Sequence, residues 1–221
     1  QEHVTEYGVH WNFFFTMGAL ALVPPFIPFT VPTWMLPVGI LAVYQVALSF
    51  SGLQDYIETA PRNCESDTAS MLCHVFAANR EGILGCLGYL SLYFTGECIG
   101  YNYLWTITTT ASSSKNYGLL VLSAILWGLW FVLTQIGGLP VSRRSTNAPF
   151  CVWAAAHNVL LLSALQLTTT QERVPVVWDT VNRHGLLMFL IANLLTGLVN
   201  LTVPTLDIPD LLALVIVFDY I

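Results

Sequence analysis

Tyr117-Gly-Leu-Leu-Val-Leu-Ser-Ala-Ile-Leu-Trp-Gly-Leu-Trp-Phe-Val-Leu-Thr-Gln-Ile136 is a run of 20 residues without a charged side chain. At about 1.5 Å of rise per residue such a helix reaches about 30 Å, the thickness of a bilayer's hydrocarbon core. Gly137, Gly138 and Pro140 follow at once and form a strong stop signal. A small polar loop, Thr106 to Asn116, precedes it. Composition extends this reading to the whole chain. Its 221 residues are 55% hydrophobic and only 9% charged, with a mean hydropathy of +0.66. Soluble domains carry about 25% charged residues, so this chain lacks the charge to cover a soluble surface. The fold class is therefore all-α, a polytopic helical membrane protein. The net charge of −6 is spread over short loops, and no basic block points to nucleic acid as a partner.

Working outward from 117–136, the pattern predicts about seven spans in a single transmembrane helical domain over residues 1–221. The first covers about 9–23 and is broken by Pro24, Pro25 and Pro28. The second covers 33–50, with Pro37 in its first turns. A polar stretch, Ser51 to Thr68, leads to a short interfacial helix over Ser70 to Ala78. The third span, 79–104, carries Gly82, Gly85, Gly88, Gly96 and Gly100, spaced for close helix packing. The fifth and sixth cover 149–167 and 185–203, separated by a polar loop with Arg173, Asp179 and Arg183. The seventh, 209–221, is too short to cross, and Gln1 is no initiator; both ends suggest a portion of a longer membrane protein. The arginines and lysines divide four against three between the two sides, which leaves the orientation open. Among five cysteines only Cys64 and Cys73 flank a polar loop, and they pair only if that loop faces an oxidising lumen. Otherwise the thiols pack as small hydrophobes. No Cys/His spacing suits a metal. The sequon Asn200-Leu-Thr202 lies inside an apolar span, out of reach of glycosylation.

Polar groups inside such spans are expensive and ask for a reason. Glu6 and His10 stand four residues apart on one helix face, and with Asn12 they lead into Phe13, Phe14 and Phe15. This is either an interfacial helix start or a substrate contact. Adjacent Arg80 and Glu81 point in different directions and need not pair with each other. The Arg80 fork matches a phosphate, against the alternative of snorkelling to water. Arg143 and Arg144 close the fourth span, where helix carbonyls favour cations and where lipid or coenzyme phosphates are an equal use. Asn193, Thr196, Gly197 and Asn200 share one face of the sixth span and require either neighbouring helices or a polar cavity. His157-Asn158 raises the same question.

Four of these blocks, in order, resemble the glycosylphosphatidylinositol (GPI) inositol acyltransferases, the phosphatidylinositol-glycan class W family. They are Glu6-Tyr-Gly-Val-His-Trp-Asn-Phe-Phe14; Asn79-Arg-Glu-Gly-Ile83 with Gly88-Tyr89 and Gly96; Ser142-Arg-Arg144 with Asn147 and Trp153; and Asn182-Arg-His-Gly-Leu186 followed by Phe189-Leu-Ile-Ala-Asn193-Leu-Leu-Thr-Gly-Leu-Val-Asn200. The resemblance implies a multi-pass enzyme of the endoplasmic reticulum membrane, a membrane-bound O-acyltransferase of GPI-anchor biosynthesis. Such an enzyme moves a fatty acyl group, usually palmitoyl, from acyl-coenzyme A to an inositol hydroxyl of glucosaminyl-phosphatidylinositol. No cofactor is bound permanently; acyl-CoA is the donor, and the glycolipid and membrane lipids are partners. The family's proposed catalytic carboxylate and its basic neighbour belong to an N-terminal portion that this chain is expected to lack, leaving it inactive alone.

Thioester-to-hydroxyl transfer needs a base, oxyanion donors, an apolar channel and cations for phosphate. On that chemistry His10 is the base candidate, oriented by Glu6. Asn12, Asn193 and Asn200 position substrate, and Phe13, Phe14 and Phe15 line the acyl channel. Arg80 with its neighbour Glu81, and Arg143 and Arg144, form the phosphate subsite. His157 falls where no family histidine is expected. The alternative reading is a polytopic transporter or lipid carrier without acyl-transfer activity, and a third is a membrane subunit that only packs.

Overall fold

A computed structural model describes residues 11–26, 34–62, 71–105, 117–168 and 176–202, together with Pro209 and Leu214. Every regular element among them is helical, as the composition requires. In chain order these are α1 (Phe13–Leu22), α2 (Met35–Phe50), α3 (Leu53–Thr59), α4 (Met71–Ile99), α5 (Gly118–Phe131), α6 (Ala148–Thr168), α7 (Val176–Arg183) and α8 (Gly185–Thr202). The chain divides into two compact units, residues 1–169 and 170–221.

Three helical stretches among the described residues are long and apolar enough to cross a membrane: Met71–Tyr103, Gly118–Ile136 and Ala148–Leu167. Two bent pairs raise the number to five if each forms one span, α2 with α3 (76°) and α7 with α8 (90°). The described helices thus do not reach the seven spans expected. The first expected span is the 10-residue α1, about 15 Å long and half the hydrocarbon thickness. The seventh falls outside the described residues, apart from Pro209 and Leu214.

Local chemistry explains the helix limits. Asn12 caps α1 by accepting from the Phe15 N–H at 3.2 Å, and Pro24 to Phe26 turn as a single 3-10 element just after it. Pro37 sits in the first turn of α2, where a missing N–H costs no hydrogen bond. Its carbonyl accepts from the Ser91 hydroxyl of α4 at 2.9 Å. Gly52, at φ +71, turns the corner into α3, a conformation that favours glycine. Ile57 of α3 is fully buried against Tyr44 and Leu48 of α2. The polar stretch after α2 therefore contains a helix that its sequence did not suggest.

α4 begins at Met71 and is broken at Asn79, whose backbone leaves the helical region (φ −122°, ψ 18°). The expected interfacial helix and the third span are thus one bent helix. It ends in a π turn at Gly100–Trp105, and α5 ends likewise at Val132–Ile136. α5 packs along α6, and the Ser123 hydroxyl donates to the Ala156 carbonyl at 3.1 Å. A cavity of about 780 Å3 lies between α2, α4, α5 and α6.

In the second unit, α7 forms where a polar loop was expected. Its Asp179 and Arg183 pair one turn apart at 2.9 Å. On α8, Asn193 and Thr196 are exposed and donate to carbonyls of their own helix, Phe189 at 2.7 Å and Ala192 at 2.9 Å.

Candidate functional site

Charged groups of the first unit converge where α3, the bend of α4 and the turn before α6 meet. The turn is built by Asn147. Its side-chain oxygen accepts from the backbone N–H groups of Ser142 and Phe150, both at 3.2 Å, which caps α6. Its amide donates to the Pro140 carbonyl at 2.6 Å. Thr146 is held at φ +47, and both its N–H and its hydroxyl donate to the Arg143 carbonyl at 3.2 Å.

This turn seats on the glycine face of α4. A Cβ on Gly88 would stand 2.1 Å from the Thr146 carbonyl oxygen, and one on Gly85 would stand 3.1 Å from its hydroxyl. Gly82 faces the Trp11 ring in the same manner, at 2.1 Å. The three-residue glycine repeat is therefore a packing groove, as its spacing predicts. Gly96 and Gly100, the GxxxG pair, meet nothing within 4 Å among the described residues.

Seating the turn carries Arg144 over Glu81. The Glu81 side chain is fully buried, whereas those of Arg62 and Arg144 are 24% and 44% exposed. Arg62 grips the carboxylate with both terminal nitrogens, at 2.6 and 3.3 Å, and Arg144 reaches the same carboxylate at 3.1 Å. Burial would raise the energy of a lone carboxylate; two guanidiniums offset that cost. Close by, the Ser142 hydroxyl donates to Glu58 at 2.5 Å and Gln54 donates to the same carboxylate at 3.4 Å. Arg62 and Arg144 thus answer Glu81 while staying partly exposed, and Arg143 is exposed on the same turn as Arg144.

Arg80 takes a different role from the open phosphate fork expected of it. It is 1% exposed. Its nitrogens donate to the carbonyls of Ile57 (3.1 Å), Pro61 (2.9 Å), Ala77 (3.2 Å) and Ala60, and its guanidinium lies 5.4 Å from the Tyr56 ring centre. The fork is used on backbone carbonyls at the end of α3, just after it and in α4. As expected, Arg80 and Glu81 point apart. Arg62, which the sequence reading left in a polar stretch without a role, is the main partner of Glu81. Its only signal was its charge beside a proline, at a distance of 19 residues.

The other expected residues disperse. Glu6 and His10 lie outside the described residues, as does the Asn200 side chain. Asn12 is a helix cap rather than an open polar group. Phe13 packs edge-on against Tyr89 at 5.6 Å, and Phe14 and Phe15 are exposed on the outer face of α1. None of the three lines the cavity. His157 is exposed and stacks on Trp153 at 5.8 Å. Asn193 is satisfied within its own helix. Of the described cysteines, Cys73 is disulfide-bonded, while Cys86, Cys98 and Cys151 are thiols outside any disulfide. No group of three metal-ligating side chains occurs among the described residues.

A helical membrane protein with an arginine-bridged carboxylate buried at the bend of its long glycine-rich helix is the class that fold and site define. The chain belongs to the GWT1 family, whose family model matches residues 1–221. It is 35% identical to the GPI-anchored wall transfer protein 1 of Aspergillus oryzae, over 100% of this chain and 49% of that protein. The protein of the same name from Saccharomyces cerevisiae is 32% identical over 100% of this chain and 50% of its own length. The phosphatidylinositol-glycan biosynthesis class W protein of Dictyostelium discoideum is also 32% identical, over 100% of this chain and 44% of its own. The chain thus spans about half the length of the curated relatives it matches. No solved structure matches it.

Proposed function

We propose that this chain is part of an inositol acyltransferase of GPI-anchor biosynthesis, working in the endoplasmic reticulum membrane. The observation that carries the reading is the match to the GWT1 family along residues 1–221, with relatives named for GPI-anchor work. In this reading acyl-coenzyme A donates a palmitoyl group to an inositol hydroxyl of glucosaminyl-phosphatidylinositol. The hydroxyl oxygen attacks the thioester carbonyl while a base removes its proton; the carbon–sulfur bond breaks, and coenzyme A leaves as the thiol. His10, oriented by Glu6, is the base candidate within this chain, and the remaining portion of the longer protein completes the site.

The junction supports the phosphate part of this reading. Arg144 and Arg62 are held by a buried carboxylate yet stay partly exposed, so each keeps donors for a phosphate without moving far. Arg80 contributes positive potential only, since its fork is occupied. The Cys73 disulfide supports placing this end of α4 in an oxidising compartment. The transporter alternative rested on convergent midplane amides and an intramembrane histidine. Asn193 is instead exposed and bonded within its own helix, and His157 is exposed beside the Trp153 ring, which weakens that support.

The test uses the full-length protein in membranes lacking the endogenous activity, supplied with labelled palmitoyl-coenzyme A and the inositol glycolipid. Label should pass to the lipid. No transfer by a correctly inserted protein would refute the reading.

A further inference from the structure

One helix of the first unit has a polar centre that the described residues leave uncovered. α6 covers Ala148–Thr168, 21 residues, and His157 stands near its midpoint, about 15 Å from either end. In a hydrocarbon core about 30 Å thick this is the depth farthest from water. His157 is exposed, and its ring lies against Trp153 at 5.8 Å. That contact satisfies neither ring nitrogen, and His157 makes no hydrogen bond among the described residues. The adjacent Asn158 is also exposed and donates to the Ala154 carbonyl of its own helix at 2.7 Å. Intramembrane histidines almost always face a bundle interior or a polar cavity rather than lipid.

The inward side of α6 is already used. Ala156 and Val159 are buried, α5 bonds to the Ala156 carbonyl through Ser123, and the Cys151 thiol reaches the Gly88 carbonyl of α4 at 3.6 Å. His157 belongs to a different stripe. Phe150, Trp153, His157, Leu160, Ala164 and Leu167 follow one another at alternating steps of three and four residues. That is the a/d spacing of a helix–helix seam. The stripe is partly buried at its two ends and exposed between them. Phe150, Trp153 and His157 form a ladder of rings along it, at 6.1 and 5.8 Å. The exposed residues of α5, Val121, Ile125 and Leu129 among them, are all apolar and suit lipid. α6 carries a seam instead.

What covers the seam follows from length. The chain spans 49% of the Aspergillus oryzae relative and 44% of the Dictyostelium one, so about half of such a protein lies outside the matched region. We propose that a transmembrane helix from that remaining part of the polypeptide packs along the stripe from Phe150 to Leu167, with a hydrogen-bonding side chain opposite His157. A segment of the same polypeptide acts at an effective concentration of about millimolar, which favours it over a second copy. His157 then does what a polar residue at one a position of a coiled coil does, fixing the register of the partner helix. The inference uses the family match and the chain's length, and is independent of the acyltransferase reading.

The full-length protein in nanodiscs tests it by two readouts. p-Benzoylphenylalanine is placed at Trp153 or at Leu160, and after irradiation the adducts are mapped by peptide mass spectrometry. They should join α6 to peptides outside residues 1–221. Mixed isotope-labelled copies separate these from adducts between copies, and Leu160 alone serves if the Trp153 variant fails to fold. The second readout is thermal unfolding, where the sign decides. A histidine facing lipid would gain stability on replacement by leucine. In the seam, His157→Leu should lower the melting temperature by about 2 °C or more. His157→Gln keeps a donor and an acceptor and should lose less. No protein adduct, adducts only between copies or within residues 1–221, or a His157→Leu protein at least as stable as wild type would overturn the proposal. Equal losses in the leucine and glutamine variants would overturn the hydrogen bond at its centre.

Discussion

Replacing Glu81 by Gln should be the most damaging single change within the Arg62–Glu81–Arg144 cluster. The substitution keeps the side chain's shape and removes its charge, so packing is not disturbed. Glu81 receives three charge-assisted contacts, two from Arg62 and one from Arg144. Breaking a buried ion pair by deleting one partner costs about 3–5 kcal/mol. The guanidiniums here are 24% and 44% exposed and regain water when released, which places the loss near the lower end, about 3 kcal/mol. Arg144→Ala leaves the two-point Arg62 grip intact and removes a half-exposed group, so it should cost about 1 kcal/mol or less. Arg62→Ala should lie between them. Thermal unfolding of the full-length protein in detergent, followed by tryptophan fluorescence, gives the order. A Glu81→Gln protein as stable as wild type, or an Arg144→Ala protein destabilised as much as Glu81→Gln, would refute the claim that Glu81 organises the cluster.

Arg80→Lys should reduce the yield of folded protein severely, because a lysine cannot reach the four carbonyls the guanidinium satisfies; charge-assisted bonds are worth about 1.5–3 kcal/mol each, and monodisperse recovery on size exclusion reads the loss. Gly88→Ala should destabilise by about 1–3 kcal/mol through its clash with the Thr146 backbone, whereas Gly96→Ala, with nothing nearby, should leave thermal stability equal or higher. His10→Ala in the full-length enzyme should reduce acyl transfer more than it reduces protein level; wild-type turnover from a properly inserted mutant removes His10 from the base position.

What the sequence revealed follows from which forces are local. The uncharged run 117–136 became α5 with its π turn, and the runs at 149–167 and 185–203 became α6 and α8 within one residue at each end, because apolar length against bilayer thickness is a property of the segment itself. Pro24, Gly138 and Pro140 stopped helices where they stand, again by local backbone chemistry. α3 was missed because Leu53 to Thr59 is too short for a periodic signal; its helix is stabilised by burying Ile57 on α2, a tertiary cause. α7 was missed because Asp179 and Arg183 read as the charges of a polar loop, although they share a helix one turn apart.

The site divides along the same line. That Arg80 and Glu81 diverge follows from their adjacency on one helix, and this much was legible. Which partner each finds depends on chain closure: Arg62 arrives from 19 residues away and Arg144 from 63, and neither separation has a helical or strand period. The glycine repeat links the two levels. Gly82, Gly85 and Gly88 announce a groove on α4, and the groove determines where the turn at Thr146 seats. That seating puts Arg144 on Glu81 and Tyr44 against Ser145. A methyl group at Gly88 should therefore displace the turn as a unit. It should weaken the Arg144–Glu81 and Tyr44–Ser145 contacts together, although residue 88 takes part in neither.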